Sequence, residues 1–504
     1  MPLADPSLAA TLPQFQSTPL DQIPTIIDTA RSAFHSGRTR PLEFRINQLQ
    51  KLYYGLCDIE ATAISAMSAD LGRAHFETSF ADINYTKSEL ISMIKNMKTW
   101  LADENVSEGI PWYLRWSHQT YLKKDPLGVV LLIGAWNYPW NLNLVPLFGA
   151  IAAGNTCILK PSEISPHSAA TLEKLFEISG MDKECYRVIQ GAVPETTLVL
   201  KQQFDKICYT GNGAVGKIVA RAAAEFLTPV ILELGGKNPV IIAPSANIPV
   251  AAKRIAWAKS LNSGQSCVAP DYLVIPRSLE TAFITEFSKV LNSFYPTGLR
   301  NSPDYSRFVN DRHFNRVHEI LKTTSGEVKI GGEIIDPKDR LMEMTLISLG
   351  HVSEGKWETD SLMQEEIFGP PLAYIVYDDN NLASAVDVVR KMSDTSLGAY
   401  VFAEKKAEQD LVLNNTRSGG FCVNEAFVNS IIAGLPFGGV GQSGTGKYRG
   451  KWSILSFVHL RSVVVNNGGW VDWLIGFRFP PFLESNYKVL KMAVPSPGFS
   501  RPKK

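Results

Sequence analysis

The sequence is short of most features that mark a specialised environment. Its six cysteines, at 57, 157, 185, 208, 267 and 422, form no C-x-x-C pair in a chain of 504 residues. Zinc-site spacing is therefore missing, no metal site is expected, and a disulfide framework does not suit a chain of this length. Neither sign of charge dominates. With 50 Lys and Arg against 49 Asp and Glu, there is no electrostatic case for nucleic acid or for an anionic membrane. Of the eight histidines, none lies close in sequence to Cys267. Internal repeats and low-complexity segments are missing too. Residues 1–16 lack the basic start and continuous apolar core of a secretory signal. A reducing, cytoplasmic location is the expectation.

One stretch imitates a membrane span. Pro126–Leu159 carries no charged residue over 34 positions, which is long enough to cross a bilayer. Asn137, Asn141, Asn143 and Asn155 interrupt it, as do Pro139, Pro146, Gly134 and Gly154. A buried strand–loop–helix–strand explains that punctuation better.

What is present is the make-up of a globular chain of two or three domains, 45% hydrophobic and 20% charged. Pro13–Gln16 reads as loosely attached. From Ile23 to about Leu101 the apolar residues recur at helical spacing. Ala102–Lys124 interleaves Trp112, Tyr113, Trp116 and Tyr121 with Pro111 and suggests an arm or hairpin for oligomerisation. Then strands at Gly128–Gly134, Thr156–Lys160, Tyr186–Gln190, Lys206–Tyr209 and Val230–Leu234 alternate with helices. That alternation predicts a parallel sheet covered on both faces. Gly235-Gly236 marks a break, and a second α/β unit runs to about Gly444. The fold class is α/β. The expected layout assigns 20–105 and 127–234 to a Rossmann-like cofactor domain and 235–444 to a catalytic domain. Bridging segments follow at 106–126 and 445–467, with a tail at 468–504.

The candidate chemistry starts at Asn262–Pro270, Asn-Ser-Gly-Gln-Ser-Cys-Val-Ala-Pro. A helical pattern over Val250–Leu261 precedes it and a strand at Tyr272–Ile275 follows. A thiol in such a turn is either presented to a cleft, with free backbone N–H groups beside it, or buried as a structural cysteine. Glu233 ends an apolar strand. There a carboxylate either points to solvent or is buried with its pKa raised toward general-base range. Gly211, Gly213 and Gly216 match G-x-G-x-x-G spacing, which suits a phosphate at a helix start or a plain tight turn. Lys160 and Glu163 could meet ribose hydroxyls or form a surface pair. Asn137, in Trp-Asn-Tyr-Pro, could donate to an oxyanion or simply make a turn. Gln364–Pro370 offers adjacent carboxylates.

Taken in order, WNYP, GNTCILKPSE, YTGNGAVG, LELGGKNP, NSGQSCVAP, QEEIFGP and LPFGGVGQSGTG resemble the aldehyde dehydrogenase superfamily. The resemblance spans about Ile23 to Val465. The class 3 branch, that of the fatty-aldehyde enzymes, is the closer match, through 262–272 and Phe457-x-His459-x-Arg461. It implies the aldehyde dehydrogenase fold and a homodimer oxidising a hydrophobic aldehyde to the acid with NAD, or alternatively NADP. By motif, Cys267 is then the nucleophile and Glu233 the general base. Asn137 and the Cys267 N–H are the oxyanion donors. Lys160 and Glu163 meet the adenosine ribose, Gly211, Asn212 and Gly216 the pyrophosphate region, and Glu366 and Phe368 the nicotinamide ribose.

Three positions depart from the pattern. Asn212 stands where Ser or Thr is usual, Asn429 where His is frequent, and Arg449 replaces the His of a Tyr-His-Gly segment. The tail crowds Trp470, Trp473, Leu474, Phe477, Phe479 and Phe482 around Pro480-Pro481. It is too broken to span a membrane, and it fits peripheral membrane contact, a substrate entrance or a partner subunit. Other readings of the whole chain are a specialised apocarotenoid or secondary-metabolite aldehyde dehydrogenase, a Cys267 acyltransferase or esterase, and a non-catalytic binding protein.

Overall fold

Apolar runs too short for helices and bounded by Gly, Asn or Pro become the central strands of a computed structural model. It describes residues 12–111, 114, 115, 117–466, 469, 472–493, 500 and 502. Trp112, Tyr113, Trp116, Trp470 and residues 1–11 lie outside the described residues. Six strands form the first sheet, in the order Gly444–Thr445, Val230–Glu233, Lys206–Thr210, Val129–Ile133, Thr156–Lys160 and Tyr186–Val188. All pairs are parallel except the first, where Gly444 faces Glu233 and Thr445 faces Leu232 in antiparallel register. Val129, Leu131 and Ile133 pack with Ile23, Ile27 and Val219 from covering helices. The helix Pro139–Ala153 packs against strands Val129–Ile133 and Thr156–Lys160 and is buried along its whole length. The uncharged run thus resolves into strand, helix and strand. Among the described residues no helix is long and apolar enough to cross a membrane.

The second sheet has seven strands, ordered Glu327–Ile330, Thr345–His351, Pro371–Tyr377, Tyr272–Pro276, Pro239–Ile242, Ser396–Phe402 and Ser418–Val423. It is parallel apart from its first pair. Its core joins Ile241, Val274, Ile375 and Val401 to Phe314, Val317 and Val389 from helices. Both sheets belong to one compact unit, residues 1–100 and 126–457. Within it the N-terminal segment is tied down more firmly than Pro13–Gln16 suggested. Leu12 is buried, and Thr18 and Gln190 exchange two hydrogen bonds of 2.9 and 3.0 Å.

Residues 101–125 and 458–504 make the second unit. Its sheet has the order Glu104–Asn105, His118–Pro126 and Val458–Asn466, and Arg461 pairs with Asp125 at 3.2 Å. The segment 445–467, expected as one bridging piece, divides. Gly444–Thr445 joins the six-stranded sheet, helix Gly450–Ser456 packs on Pro139–Ala153, and only the stretch from Val458 belongs to the second unit.

Candidate functional site

The helix expected at Val250–Leu261 runs from Ile248 to Ser260, because the Asn247 side chain caps it by accepting the Val250 N–H at 3.2 Å. At its end Asn262, Ser263 and Gly264 adopt left-handed backbone in succession, with φ of 50°, 55° and 74°. Glycine enters that region freely. Asn and Ser do so at a cost of about 1 kcal/mol each or more, so contacts must hold them there. The Asn262 N–H donates to Glu77 Oε1 at 2.7 Å, and its side-chain amide donates to the carbonyls of Asn137 and Gln265 at 3.2 and 3.1 Å. Ser263 Oγ donates to Ser306 O at 3.1 Å. Gln265 donates to Arg307 O at 2.9 Å and accepts from Val309 N at 3.1 Å. On the far side Asn238 donates to the carbonyls of Cys267 and Ala269 at 2.8 and 2.9 Å. Between residues 261 and 276, Cys267 alone is not fully buried. The loop is fixed on both flanks and presents one thiol.

Sequence reasoning missed what lies beneath the loop. Arg73 is 1% exposed and follows the left-handed cap Gly72 of helix Leu42–Leu71. Its Nε donates to Asn262 Oδ1 at 3.2 Å, and Nη2 donates to the Asn137 carbonyl. Its guanidinium lies 4.5 Å from the centre of the Tyr138 ring and pairs with Glu77 and Asp82 at 3.6 and 3.7 Å. Asp82 accepts the Asn141 N–H at 2.6 Å, at the start of helix Pro139–Ala153. Burial pushes the Glu77 and Asp82 carboxyls up, Asp82 to about 7, against the pull of Arg73. The only local signal was the i, i+4 spacing of Arg73 and Glu77, which on most helices is an exposed pair. The Asn137 side chain is brought to the same loop, donating to Gln265 O at 3.1 Å.

Glu233 closes strand Val230–Glu233, 2% exposed, with neither carboxyl oxygen partnered. Burial pushes its pKa well above the ordinary range, opposed by Arg449. Burial also drives the Cys267 thiol up to about 12, with Glu366 and then Glu233 adding to it. Thiol and carboxyl therefore share one electrostatic environment.

The loop after helix Ser361–Gln364 closes another side. Arg316 donates to Glu365 Oε1 at 2.9 Å and to the carbonyls of Glu366 and Ile367. Lys237 donates to Glu365 O at 2.9 Å and pairs with Asp271, which accepts the Ile367 N–H at 3.1 Å. Phe368 has φ of 49°, and its ring meets Trp136 edge-on at 5.5 Å. Glu366 keeps one buried oxygen unpartnered, and burial, then Asp271, raises its pKa to about 8. Beside it opens a cavity of about 460 Å³ lined by Gly235, Gly236, Glu366, Thr395 and Gln442 among others.

The remaining candidates gather at the ends of the first sheet's strands. The Lys160 ammonium is buried and bonds Glu163 Oε2 at 2.6 Å. Asn212 caps helix Gly213–Ala224, its Oδ1 accepting the Val215 N–H at 3.0 Å. Nothing lies within 4 Å of a side chain built at Gly213, whereas one at Gly216 would meet Leu234 Cδ2 at 2.8 Å. Gly213 thus leaves the helix start open to a ligand, and Gly216 serves internal packing. An open helix N-terminus, a buried ammonium and the unpartnered Glu366 oxygen suit a phosphate-linked, ribose-bearing nucleotide.

Residues 1–463 match the sequence pattern of the Aldehyde dehydrogenase family. The β-apo-4′-carotenal oxygenase of Gibberella fujikuroi is 41% identical over 500 residues, covering 99% of this chain and 90% of that protein. "Aldehyde dehydrogenase, dimeric NADP-preferring" of Mus musculus is 40% identical over 453 residues, 89% of this chain and 95% of its own. Among solved structures, Staphylococcus aureus AldH in a substrate-bound state matches with a TM-score of 0.86 at 35% identity, over 93% of this chain and 99% of its own.

Proposed function

Because the chain belongs to the aldehyde dehydrogenase family, we propose that it oxidises a hydrophobic aldehyde to the carboxylic acid through a thioester on Cys267. The reaction class, NAD(P)-dependent oxidation of an aldehyde, comes with the family. The observation that carries the assignment is the lone half-buried thiol of a buried loop, sharing its environment with an unpartnered buried carboxyl.

In this reading the Cys267 sulfur gives up its proton and attacks the carbonyl carbon, forming a thiohemiacetal alkoxide. The thiol's proton passes to solvent at this half-buried position, which leaves the Glu233 carboxylate free for the hydrolysis that follows. The Asn137 amide and the Cys267 N–H stabilise the alkoxide, while Arg73 and Asn262 hold the Asn137 carbonyl and so its backbone. A nicotinamide nucleotide supplies the hydride acceptor. It is held by Lys160 and Glu163, by the helix start at Gly211, Asn212 and Gly216, and by Glu366 and Phe368. Alkoxide collapse leaves a thioester on Cys267. Glu233 then takes a proton from water, whose oxygen attacks the thioester carbon, and the acid leaves as the thiol regains its proton.

The six-stranded sheet then serves the cofactor, the seven-stranded sheet the nucleophile, and the small unit joins two copies, as the word "dimeric" in the mouse relative's name supports. That name also favours testing NADP beside NAD. The fungal relative's name supports a polyene aldehyde as the specialised alternative. Exposed Trp473, Phe482, Leu483 and Tyr487 suit peripheral contact of a cytoplasmic enzyme with a membrane. Absorbance at 340 nm with either nucleotide, against aldehydes of increasing chain length plus an aromatic and a polyene one, tests the function. Reduction that strengthens with length supports a lipid-derived substrate, reduction with the polyene alone supports the alternative, and silence with reduced Cys267 refutes both. Cys267→Ala should abolish turnover and keep nucleotide binding, whereas Glu233→Gln should keep a burst of reduced nucleotide and lose steady turnover.

A further inference from the structure

Three consecutive backbone carbonyls, those of Cys267, Val268 and Ala269, are each taken by a buried side chain brought in by the second sheet. Asn238 Nδ2 donates to Cys267 O at 2.8 Å and to Ala269 O at 2.9 Å. Between them, the Tyr400 hydroxyl donates to Val268 O at 2.6 Å. Asn238 and Tyr400 are each 1% exposed. Asn238 Oδ1 is used as well, accepting the Gly398 N–H at 2.8 Å.

Strand geometry explains how the tyrosine reaches the loop. Gly398 and Tyr400 lie two apart on strand Ser396–Phe402, so they share one face. A side-chain carbon at Gly398 would sit 2.5 Å from the Tyr400 hydroxyl oxygen and 3.0 Å from its ring carbon Cζ. Glycine there leaves room for the phenol, while its N–H holds Asn238. Tyr400 pairs with Val240 of the adjoining strand Pro239–Ile242, and Asn238 O accepts the Asp271 N–H at 2.9 Å. Burial pushes the Tyr400 pKa well above its ordinary value, so the hydroxyl keeps its proton and remains a donor. One strand thus reaches the loop directly through Tyr400 and indirectly through Asn238.

We propose that Tyr400 is a positioning residue for acylation of Cys267, its hydroxyl holding the Val268 carbonyl and so aiming the nucleophile. The proposal rests on the reading of Cys267 as the nucleophile. Each peptide unit is planar, so a held carbonyl fixes the plane to which it belongs. Asn238 fixes the plane between Cys267 and Val268, and Tyr400 fixes the plane between Val268 and Ala269. The Ala269 N–H, on that second plane, closes the turn onto Ser266 O at 3.0 Å. Ser266 O in turn shares its plane with the Cys267 N–H, the donor assigned to the alkoxide. The phenol therefore stands two peptide planes from that donor, and the planes on both sides of the Cys267 α-carbon are set. Release of the Val268 carbonyl frees the turn that straddles the thiol.

The test compares Tyr400→Phe with Tyr377→Phe. Tyr377 is likewise buried in the second sheet, and its hydroxyl donates to Ile242 O at 2.8 Å. Ile242 ends the strand that Asn238 precedes, so that bond lies away from the nucleophile loop. Each variant keeps its ring and takes one hydroxyl from a buried carbonyl, so both should melt below wild type. Stopped-flow absorbance with saturating nucleotide reads the burst, and a binding titration reads nucleotide affinity. Tyr400→Phe should slow the burst about tenfold, because reactivity falls steeply with small misplacements of the reacting atoms, and nucleotide affinity should stay at the wild-type value. Tyr377→Phe should keep the wild-type burst rate. An unslowed burst in Tyr400→Phe overturns the proposal. Equal slowing in Tyr377→Phe, or nucleotide affinity lost in step with the burst, overturns it too, because either would mark a general loosening of the sheet. Failure of the underlying reading looks different, because Cys267→Ala would then turn over.

Discussion

Gly264→Ala places a methyl where two loops meet. Gly264 stands in left-handed backbone, φ 74°, three residues before Cys267. A side-chain carbon there would lie 2.6 Å from the Gly369 carbonyl carbon and 3.3 Å from the Pro370 nitrogen, with the Gly369 oxygen nearer still. The obstacle is backbone, so it cannot swing away like a side chain. Ordinary contact begins at 3.4 Å, so the loops that carry Cys267 and Phe368 must part by about 1 Å, the nearer Gly369 oxygen setting the distance. Left-handed alanine costs about 1 kcal/mol, and overpacking at a rigid contact adds about 1–3 kcal/mol. A total of about 2–4 kcal/mol should lower the melting temperature by several degrees. Because displacement approaches about 1 Å at the nucleophile, the burst rate should fall about 100-fold. Gly434→Ala, with nothing within 4 Å of the added carbon, is the control. Stopped-flow absorbance with saturating nucleotide reads the burst, and calorimetry reads the melting. A Gly264→Ala protein that melts and turns over like the control would refute the reasoning.

Asp82→Asn keeps an acceptor for the Asn141 N–H and removes a carboxyl that burial carries up to about 7 despite Arg73. A carboxyl with a higher pKa folded than unfolded supports folding while protonated, fully below its unfolded pKa, and that support is lost as pH rises through about 7. Relative to the variant, wild type should therefore lose up to about 4 kcal/mol between about pH 4 and pH 8, read from urea midpoints; a gap that does not change with pH would count against it. Arg316→Ala frees the carbonyls of Glu366 and Ile367 and should raise the nucleotide KM about tenfold with little change in melting. An unchanged KM would show that the loop holds its shape without it.

How much could be read in advance depends on how local each determinant is. The Cys267 turn was legible because its helix, its Asn-Ser-Gly break and its strand are contiguous; only the choice between presented and buried thiol needed coordinates. The helix start differed by two residues because Asn247, not a later residue, caps it. Arg73 was illegible for the opposite reason, since its partners come from Glu77, Asp82, Asn137 and Asn262, up to 189 positions away. Gly216 shows what spacing alone leaves out: a side chain there would meet Leu234, so internal packing as well as ligand approach asks for glycine. Arg449 stood out only as an unexpected residue type. Its environment depends on an antiparallel return that no periodicity encodes.

That return has a consequence for biosynthesis. The Glu233 strand gains its outer neighbour only when residues 444 and 445 arrive, about 210 positions later. During translation Cys267 is thus made long before the edge beside Glu233 is sealed. A ribosome-bound chain stalled just past Cys267 would carry the thiol with that edge still open to water, and premature release would yield a fragment unable to complete the chamber. Late closure makes catalytic competence a property of the nearly finished polypeptide.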